Sequence, residues 1–393
     1  MTTILISGAG IAGLSLARQL KKHNIAYTLI EKKSQLDATG TGIALPANAV
    51  RALRYMGLST VVDKLHQVKD IIYARPNGRI ISQASLLNSP LNRDKFVALD
   101  RADLLTILRQ DVEDDIHFNV TVTRIKQDES GVDVEFSNPL LNGHYQAIVG
   151  ADGIYSTVRE LGFGASELED LGVTNWRWIS EYPAKELQPT YMIGKDNMFL
   201  AYPIGPNRIY CYAHQADKTG HYQSPDAAQE NLRQVFAKYK AIAAPLLQQL
   251  SSDTRVYTGR LRSVPIPLFS RENIALIGDA SNACSPMLQQ GAACAFEDAI
   301  ILAELLANFP VKEALENYEA QRYQRVNWIL RTSDDSIKSF INMNSRLSIL
   351  ARNLFIRYKG PLNVLGWKHL LSYCPLDTLA TFINETTASK EPS

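Results

Sequence analysis

A strand, a helix and a second strand are predicted by the apolar pattern at the start of the chain. TILIS at 3–7 is mostly apolar and β-branched, as in a strand buried on both faces. GLSLARQLKKH at 13–23 places apolar residues at a helical period and closes on basic residues. AYTLIE at 26–31 is a strand pattern that ends in an acid. Together these segments predict a βαβ unit within about thirty residues.

Further helix and strand patterns continue through the next part of the chain. From 98 to 112 the pattern LDRADLLTILRQDV predicts a helix with an acidic start. TVTRIKQDESGVDVEF at 121–136 predicts a hairpin, because two alternating runs flank a polar turn that contains glycine. AIVGADG at 147–153 predicts an apolar strand that ends in Asp-Gly.

The pattern changes after about residue 173 to short, alternating aromatic runs. TNWRWISEY, TYMI, MFLAYPI and RIYCYAHQ are separated by Gly, Pro and Asn, which is typical of an antiparallel sheet. A helix over 226–250 and the run VPIPLF lead to a strand, NIALIG, at 273–278. From 291 to about 358 the chain is largely helical, and PLNVLGWKHLL predicts a terminal turn and helix.

These patterns predict an α/β fold with a mainly antiparallel β insertion and C-terminal helices. A Rossmann-like nucleotide-binding domain is expected at 1–72, 98–172 and 266–335, with substrate-domain strands at 73–97, a substrate domain at 173–265 and a C-terminal helical region at 336–393. The last residues, TTASKEPS, are expected to fray.

Charge and cysteine content narrow the functional classes. The 393 residues carry 41 basic and 40 acidic side chains, with no block of like charge, so no polyanionic partner is indicated. The four cysteines lack Cys-x-x-Cys spacing and a nearby histidine pair, which disfavours a zinc site or a disulfide framework. No apolar run is long enough to span a bilayer, and the apolar N-terminus lacks the basic region of a signal peptide. We therefore expect a soluble cytoplasmic protein.

The segment GAGIAG at 8–13 predicts dinucleotide binding in this βαβ context. Gly8 permits the tight turn, Gly10 lets the backbone approach a pyrophosphate, and Gly13 lets helix and strand pack closely. Glu31 is placed to accept hydrogen bonds from an adenosine ribose. The motif alone does not separate FAD from NAD.

A second turn, VGADGIYSTVRE at 149–160, follows a predicted strand. Asp152 and Arg159 can orient this loop or contact a second nucleotide, and Gly153 permits close backbone approach. The alternative is a plain strand–turn–helix unit capped by Asp152 and Ser156.

A third turn, GDASNACSPMLQQGAACAFEDA at 278–299, joins an apolar strand to a long apolar helix. Asp279 follows the strand, where ligands of open α/β sheets bind. Pro286 fixes a bend, and Gly291 begins a helix whose first amides have no intrahelical partner and can stabilise negative charge. Glu297 and Asp298 are expected to serve the fold, and the two cysteines to be packing residues, with a reactive thiol as the alternative.

The motifs together resemble a known family. GAGIAG…LIEK, GTGIALPANAVRAL at 40–53, LDRADLL, VGADGIYSTVR and IALIGDASNACSPMLQQGAACAFEDA resemble, in order, the signature segments of class A FAD-dependent aromatic hydroxylases of the para-hydroxybenzoate hydroxylase fold. The resemblance spans about residues 1–335. The helical end looks most like the branch of salicylate hydroxylases, urate hydroxylases and zeaxanthin epoxidase.

The resemblance implies a Rossmann-like FAD-binding domain and roles for individual residues. The glycines of GAGIAG and Glu31 would hold the ADP half of FAD. Arg101 would contact the ribityl or pyrophosphate portion, unless it is an ordinary arginine at a helix start. The implied cofactor-binding residues are Gly8, Gly10, Ala12, Gly13, Glu31, Lys32, Gly42, Ile43, Arg101, Asp152, Asp279, Pro286, Gly291 and Ala292. The chain departs from the family at Asn282, where many members have histidine, and at Ala293, where many have asparagine.

The implied activity is that of a monooxygenase. NADH or NADPH would bind transiently and reduce FAD, and O₂ would form a C4a-hydroperoxide whose distal oxygen passes to an aromatic or heteroaromatic substrate. The protein would act as a monomer or homodimer, without nucleic acid and without an integral membrane segment.

Substrate-contacting residues are expected in the β insertion. Alternation places Tyr210, Tyr212 and His214 on one strand face, with Cys211 and Ala213 on the other. Tyr202 and Arg177 lie on neighbouring runs. The catalytic candidates are Pro286, Arg177 and Tyr212, although for any single tyrosine the favoured interpretation is a half-buried sheet residue.

Three alternatives stay open at this point. One is a monooxygenase that epoxidises or inactivates a bulkier natural product or antibiotic. Another is a flavin-dependent halogenase, suggested by Trp176-Arg177-Trp178 although the following residues depart from that family's motif. The third is a flavin-binding sensor without turnover.

Overall fold

The structure, a computed structural model, describes residues 3–36, 41–164, 167–343 and 345–388. Gly40, the first residue of the GTGIALPANAVRAL segment, and the end of the predicted frayed tail lie outside these ranges. The strands are β1 (Thr3–Ser7), β2 (Ala26–Glu31), β3 (Gly42–Leu45), β4 (Gln67–Val68), β5 (Asp70–Ala74), β6 (Ile80–Ser85), β7 (Phe96–Asp100), β8 (Ile116–Phe118), β9 (Val122–Asp128), β10 (Gly131–Phe136), β11 (Gly143–Tyr145), β12 (Ala147–Gly150), β13 (Glu169–Glu181), β14 (Thr190–Ile193), β15 (Asn197–Gly205), β16 (Arg208–Ala216), β17 (Tyr257–Ser263), β18 (Ser270–Arg271) and β19 (Ile274–Leu276).

Helices connect these strands and form the C-terminal part of the described chain. They are α1 (Ile11–Lys22), α2 (Ala47–Tyr55), α3 (Ser59–Lys64), α4 (Arg101–Arg109), α5 (Thr157–Phe163), α6 (Ala228–Val235), α7 (Ala243–Gln248), α8 (Asp279–Asn282), α9 (Gly291–Asn308), α10 (Val311–Ile341), α11 (Arg346–Lys359), α12 (Leu362–Ser372) and α13 (Pro375–Ala388).

A six-stranded sheet confirms the predicted Rossmann-like core. Its order is β18-β19-β12-β1-β2-β8, and every pair is parallel except β18 with β19. The fully buried residues Ile4 and Ile6 of β1 pack in one core with α1 and α9. Because β1, β12 and β19 are adjacent and parallel, the three loops that follow them emerge at the same edge of the sheet.

A seven-stranded sheet confirms the predicted antiparallel insertion. Its order is β17-β13-β16-β15-β14-β5-β6, with a single parallel pair between β14 and β5. On one face, Trp176 and Trp178 pack in a core with α6 and α7. On the other, Tyr202 and Tyr212 pack in a core with Trp367 of α12. The sheet is therefore buried on both sides, and only the second side adjoins the C-terminal helices.

Two predicted helices have other bounds in the structure. Residues at the start of the 98–112 segment complete β7, and α4 begins at Arg101, because Asp100 is extended and its Oδ1 accepts a hydrogen bond from Ala102 N at 2.9 Å. The predicted helix over 226–250 is divided into α6 and α7. Between them Ala241 has a φ of 49°, and Lys240 N donates to Pro76 O at 2.8 Å.

Four charged side chains form a buried ion network between α9 and α10. Arg322 donates to Glu297 at 2.8 Å and to Asp298 at 2.7 Å, and Arg325 donates to both oxygens of Glu297. Burial alone would raise the pKa of Glu297, but Arg325 and Arg322 hold that pKa at about 2. Glu297 and Asp298 thus serve the fold, in agreement with the sequence interpretation.

We predict that Glu297→Gln lowers the free energy of unfolding by about 3–5 kcal/mol, because it leaves buried arginine charge without its partner. Because the pKa of Glu297 is depressed, its stabilisation is complete above the ordinary pKa of 4.5 and is lost as the pH falls toward 2. Urea denaturation at neutral pH measures the effect. Glu135→Gln, at an exposed pair with Arg124, is the control and should cause no measurable change. Equal stability of the Glu297 variant and the wild type would contradict the role of the network.

Candidate functional site

The three glycines of the first turn occupy different environments. Gly8 has a φ of 105°, and a Cβ there would lie 2.6 Å from Ala151 O. A Cβ at Gly13 would overlap the carbonyl oxygen of Gly8. A Cβ at Gly10 would meet no atom within 4 Å. Gly8 and Gly13 are therefore required by the packing of the turn, whereas Gly10 faces open space.

The start of α1 lacks a side-chain cap. Gly10 is its N-cap and no side chain accepts a hydrogen bond from the first turn, which also contains no acidic residue. The first amides of the helix thus donate no hydrogen bond to a capping side chain, and they lie at the positive end of the helix dipole. Ala12 adjoins the third turn, since a Cβ at Gly278 would lie 2.9 Å from its Cβ.

Glu31 stabilises the first turn through one carboxylate oxygen and the chain just after β2 through the other. Oε2 accepts a hydrogen bond from Ala9 N at 2.8 Å, and Oε1 accepts one from Lys33 N at 3.1 Å. Each oxygen can accept a further bond. The neighbouring Lys32 is exposed at the surface. Glu31 therefore holds the glycine turn from the end of β2, a role that the sequence analysis did not predict.

The second turn is built by local hydrogen bonds. Asp152 Oδ2 accepts from Thr157 N at 2.8 Å and from Val158 N at 3.2 Å, and Ser156 caps α5. The buried Arg159 donates to Ala280 O at 2.7 Å and to Ile154 O at 2.5 Å. Arg159 therefore joins the second turn to the third, which supports its predicted orienting role.

The third turn presents a carboxylate beside an uncapped helix. Asp279 begins α8, and a Cβ at Gly291 would lie 3.9 Å from its Oδ1 with no other atom within 4 Å. No side chain caps the start of α9, and Ala292 is half-buried there. Pro286, which starts a 3₁₀ turn over Pro286–Leu288, is exposed. The carboxylate and the first amides of α9 thus face one open space.

Arg101 approaches the third turn from α4. Burial raises the pKa of Asp279, and the positive charge of Arg101 opposes that rise. Burial lowers the pKa of Arg101, and Asp279 opposes the decrease. Asp279 has exposed surface, and the surrounding protein reduces its hydration. We call the region after β1 and β19 where Gly10, Asp279 and Gly291 lie, together with the neighbouring Arg101, the cleft.

Buried polar groups behind the cleft hold the third turn in place. Asp298 Oδ2 accepts from Gly278 N at 2.9 Å and from Asn282 Nδ2 at 3.1 Å. Asn48 Nδ2 donates to Gln290 Oε1 at 2.9 Å, at the start of α9. The turn is therefore anchored on both sides of Pro286. Asn282 has a structural role in this chain, and Ala293 is fully buried in the core.

Gly42 connects the cleft to the seven-stranded sheet. It pairs with Asp100 in β7, and the amide of Arg101 donates to Thr41 O at 2.8 Å. A Cβ at Gly42 would overlap the ring of Tyr210 in β16. The backbone of β3 thus lies directly on this ring, and the next residue, Ile43, is half-buried.

The sheet face beyond Tyr210 carries the predicted substrate-contacting residues. Arg177 of β13 pairs with Tyr212 of β16, so both side chains lie on the same face as Tyr210 and His214. The Tyr212 hydroxyl and both ring nitrogens of His214 are buried and have no hydrogen-bond partner among the described residues. We call the surface formed by Arg177, Tyr210, Tyr212 and His214 the tyrosine face.

Burial sets the protonation of the tyrosine face. It raises the pKa of Tyr210 to about 12, although Arg177 acts in the opposite direction. It raises the pKa of Tyr212 as well and lowers that of His214 to about 3. Both tyrosines and the histidine are therefore neutral near pH 7, and they can donate or accept hydrogen bonds without carrying charge.

Other residues singled out in the sequence lie away from this region or have no reactive character. Cys211, Trp176 and Trp178 are fully buried on the opposite face of the sheet, which argues against a halogenase role for the two tryptophans. All four cysteines are unpaired, and burial raises the pKa of each thiol. Reactive thiolates are thus disfavoured at these positions.

Several residues that build the site carry no local sequence signal. Arg322 and Arg325 support the third turn through Glu297 and Asp298, and the indole of Trp367 donates to Leu288 O at 2.8 Å. Asn48 alone could have been noticed, as a polar residue within the apolar pattern of α2. The remainder become visible only when distant helices are placed together.

Comparisons with known proteins give a consistent result. A family model described as "FAD binding domain" matches residues 1–333. A 2-heptyl-3-hydroxy-4(1H)-quinolone synthase of Pseudomonas aeruginosa is 30% identical, with 84% of this chain and 87% of that protein covered. Aurachin C monooxygenase/isomerase of Stigmatella aurantiaca is 29% identical, with 83% and 86% covered. The crystal structure of Klebsiella pneumoniae HpxO complexed with FAD and uric acid has the same fold, with a TM-score of 0.80 at 22% identity over 98% of this chain and 96% of that chain.

We predict that Gly291→Val weakens FAD binding roughly tenfold or more, because the added methyl groups enter the cleft. Since a Cβ at this position meets no atom within 3.8 Å, the variant apoprotein should unfold at the wild-type temperature. FAD titration followed by fluorescence, with thermal unfolding of the apoprotein, measures both quantities.

Two further variants complete this test. Gly13→Ala should destabilise the apoprotein itself by roughly 1–3 kcal/mol, because its Cβ overlaps Gly8. Gly143→Val, at a hairpin position whose nearest atom is 3.7 Å away, should alter neither quantity. Wild-type FAD affinity in Gly291→Val would contradict the assignment of the cleft.

Proposed function

Because the chain belongs to the FAD-binding domain family, we propose that it is an FAD-dependent monooxygenase that uses NAD(P)H and O₂ to hydroxylate a small heteroaromatic substrate. One observation carries this proposal. The cleft and the tyrosine face meet at the contact between Gly42 and Tyr210. A cofactor in the cleft would therefore adjoin a surface with unpaired hydrogen-bonding groups.

The residues around the cleft fit FAD. Gly10 and Gly291 leave space where a side chain would otherwise project, and the helices that begin there have no side-chain cap. The pyrophosphate would lie at the start of α1, with the adenosine ribose beside Glu31. Arg101, Asp152 and the Asp279 carboxylate would contact the remaining polar groups, the ring being bordered by the residues Gly42, Ile43, Pro286, Gly291 and Ala292.

When bound, FAD supplies the redox chemistry, accepting electrons from NAD(P)H and reacting with O₂. The protein orients the reactants and supplies electrostatic stabilisation. The first amides of α9 stabilise negative charge beside Gly291. The opposite charges of Arg101 and Asp279 stabilise each other where burial reduces the hydration of both groups.

The tyrosine face supports an uncharged, planar substrate. Tyr212 and His214 offer neutral donors and acceptors that no described side chain uses. A heterocycle with an N–H and a carbonyl group could satisfy these positions, and leaving such groups unpaired would cost stability. Arg177, opposite Tyr212, would orient the substrate carbonyl.

The relatives favour heterocycles that bear an apolar group. The Pseudomonas aeruginosa relative is named for a heptyl-substituted quinolone. The aromatic and aliphatic surroundings of the tyrosine face, which include Ile193, Leu200 and Trp367, would suit such a substituent. We therefore rank 4(1H)-quinolones with an alkyl chain at C2 above polar purines such as urate. A bulkier natural product is the second candidate, supported by the same apolar surroundings.

We also propose a reductant, a cellular compartment and an assembly state for the protein. NADH or NADPH would bind transiently to reduce the flavin. Four unpaired cysteines support a reducing compartment such as the cytoplasm. A monomer or a homodimer would suffice, because the cleft and the tyrosine face are both formed within one chain.

Purification and turnover test this proposal. The protein is expected to bind FAD and to oxidise NAD(P)H faster when a quinolone is added, with a product heavier by one oxygen atom. Quinolones with and without the C2 alkyl chain, urate and simple phenols form the substrate panel. A protein that takes up no FAD would contradict the cofactor assignment. A flavoprotein whose NAD(P)H oxidation responds to no aromatic compound would instead be a sensor.

We predict that Tyr212→Phe raises the KM of the best substrate roughly three- to tenfold, the effect of one lost hydrogen bond. Since the hydroxyl has no hydrogen-bond partner among the described residues, stability should not fall. Steady-state kinetics and thermal unfolding measure the two effects. Tyr222→Phe, on the opposite side of the sheet, is the control and should keep the wild-type KM. An unchanged KM in Tyr212→Phe would remove this hydroxyl from the substrate site.

A further inference from the structure

Helix α11 exposes apolar side chains that most surface helices bury. Leu347, Leu350, Leu354, Phe355 and Tyr358 have 79, 49, 44, 43 and 76% of their surface exposed, whereas only Ile356 in this helix is buried. At 3.6 residues per turn these five residues fall within an arc of about 140°. They form one continuous apolar stripe that faces away from the described chain.

Basic residues border this stripe. Arg346 and Arg357 lie along one side of it, and Lys359 lies along the other. All three are exposed, and none forms an ion pair with a described residue. The helix contains no acidic residue, although the whole chain carries nearly equal numbers of acids and bases. The positive charge is therefore concentrated beside the apolar stripe.

We propose that α11 docks the protein on an anionic membrane surface. Apolar residues on one side of a helix, bordered by lysine and arginine, are typical of helices that lie in the interface of a bilayer. The apolar side chains would enter the boundary between headgroups and acyl chains, and the cations would contact anionic headgroups. No described helix is long and apolar enough to cross a membrane.

The inner side of α11 adjoins the tyrosine face. The guanidinium of Arg352 lies 5.2 Å from the centre of the Phe340 ring, and Phe340 contacts His214 edge to face at 5.5 Å. Ile356 packs in the same core as Tyr212. A membrane-bound α11 would thus lie one side chain away from His214. This places the tyrosine face next to a lipid surface, where apolar substrates accumulate.

Charge complementarity favours an anionic membrane over a second copy of the chain as the partner of α11. A symmetric contact between two α11 helices would bring their basic residues toward one another without acidic partners on either helix. Anionic lipid offers both an apolar interior and negative headgroups. Self-association through α11 is therefore an alternative outcome of the test.

Vesicle sedimentation tests the proposal on the full-length holoprotein. Vesicles of phosphatidylcholine with about 30% phosphatidylglycerol should pellet the protein, and pure phosphatidylcholine should pellet much less. The triple variant Leu347→Ser, Leu350→Ser, Leu354→Ser should lower the partition coefficient roughly tenfold or more. Raising NaCl from about 0.1 M to about 0.5 M should weaken binding of the wild type, because salt screens the cations.

Matched controls make the outcome decisive. Leu140→Ser changes a leucine that is 91% exposed in a turn distant in sequence from α11, and it should leave the partition coefficient unchanged. Because the substituted leucines are exposed, the triple variant should keep its FAD and its melting temperature. Absence of pelleting, or pelleting that the triple variant retains, would overturn the proposal. So would a wild-type dimer that the triple variant converts to a monomer without any vesicle binding.

Discussion

The buried network of Glu297, Asp298, Arg322 and Arg325 is the constraint on which the site depends. It joins α9 to α10 where water is excluded, and charges are stable there only while each has its partners. Asp298 extends the network toward the cleft, since it also accepts hydrogen bonds from Gly278 and Asn282. The turn that presents Asp279 is thus attached to a network of buried, paired charges. A flavin bound at this turn, as we propose, would be positioned by two helices as well as by a loop.

Two helix starts without a side-chain cap supply backbone amide donors to the cleft. Two helices near the cleft have side-chain caps, since Asp100 accepts from the start of α4 and Ser156 from the start of α5, whereas α2 and α8 have none. At α1 and α9 the corresponding positions are Gly10 and Gln290, and no side chain competes for the first amides. These donors are therefore available to a ligand that binds in the cleft.

Local periodicity predicts the two sheets, the resemblance of the motifs indicates the family, and both fail where distant segments decide the structure. The βαβ unit and the aromatic strands are confirmed, because their patterns report burial within a few residues. The helix predicted over 226–250 is wrong, since Ala241 turns the chain to meet Pro76. Asn48 and Gln290 are separated by 242 residues, and their hydrogen bond has no counterpart in any local pattern. The glycine motifs predict a nucleotide site, while the contact of Gly42 with Tyr210 required the packed structure.

That contact also has an evolutionary consequence. A side chain at residue 42 would clash with the Tyr210 ring, so it would require a smaller residue at 210 or a shift of β3. Tyr212 and His214 lie farther along the same strand. In the proposed site, substitutions beyond Tyr210 would alter the substrate surface and leave this contact in place. A single glycine against one aromatic ring thus sets how closely β3 approaches the seven-stranded sheet.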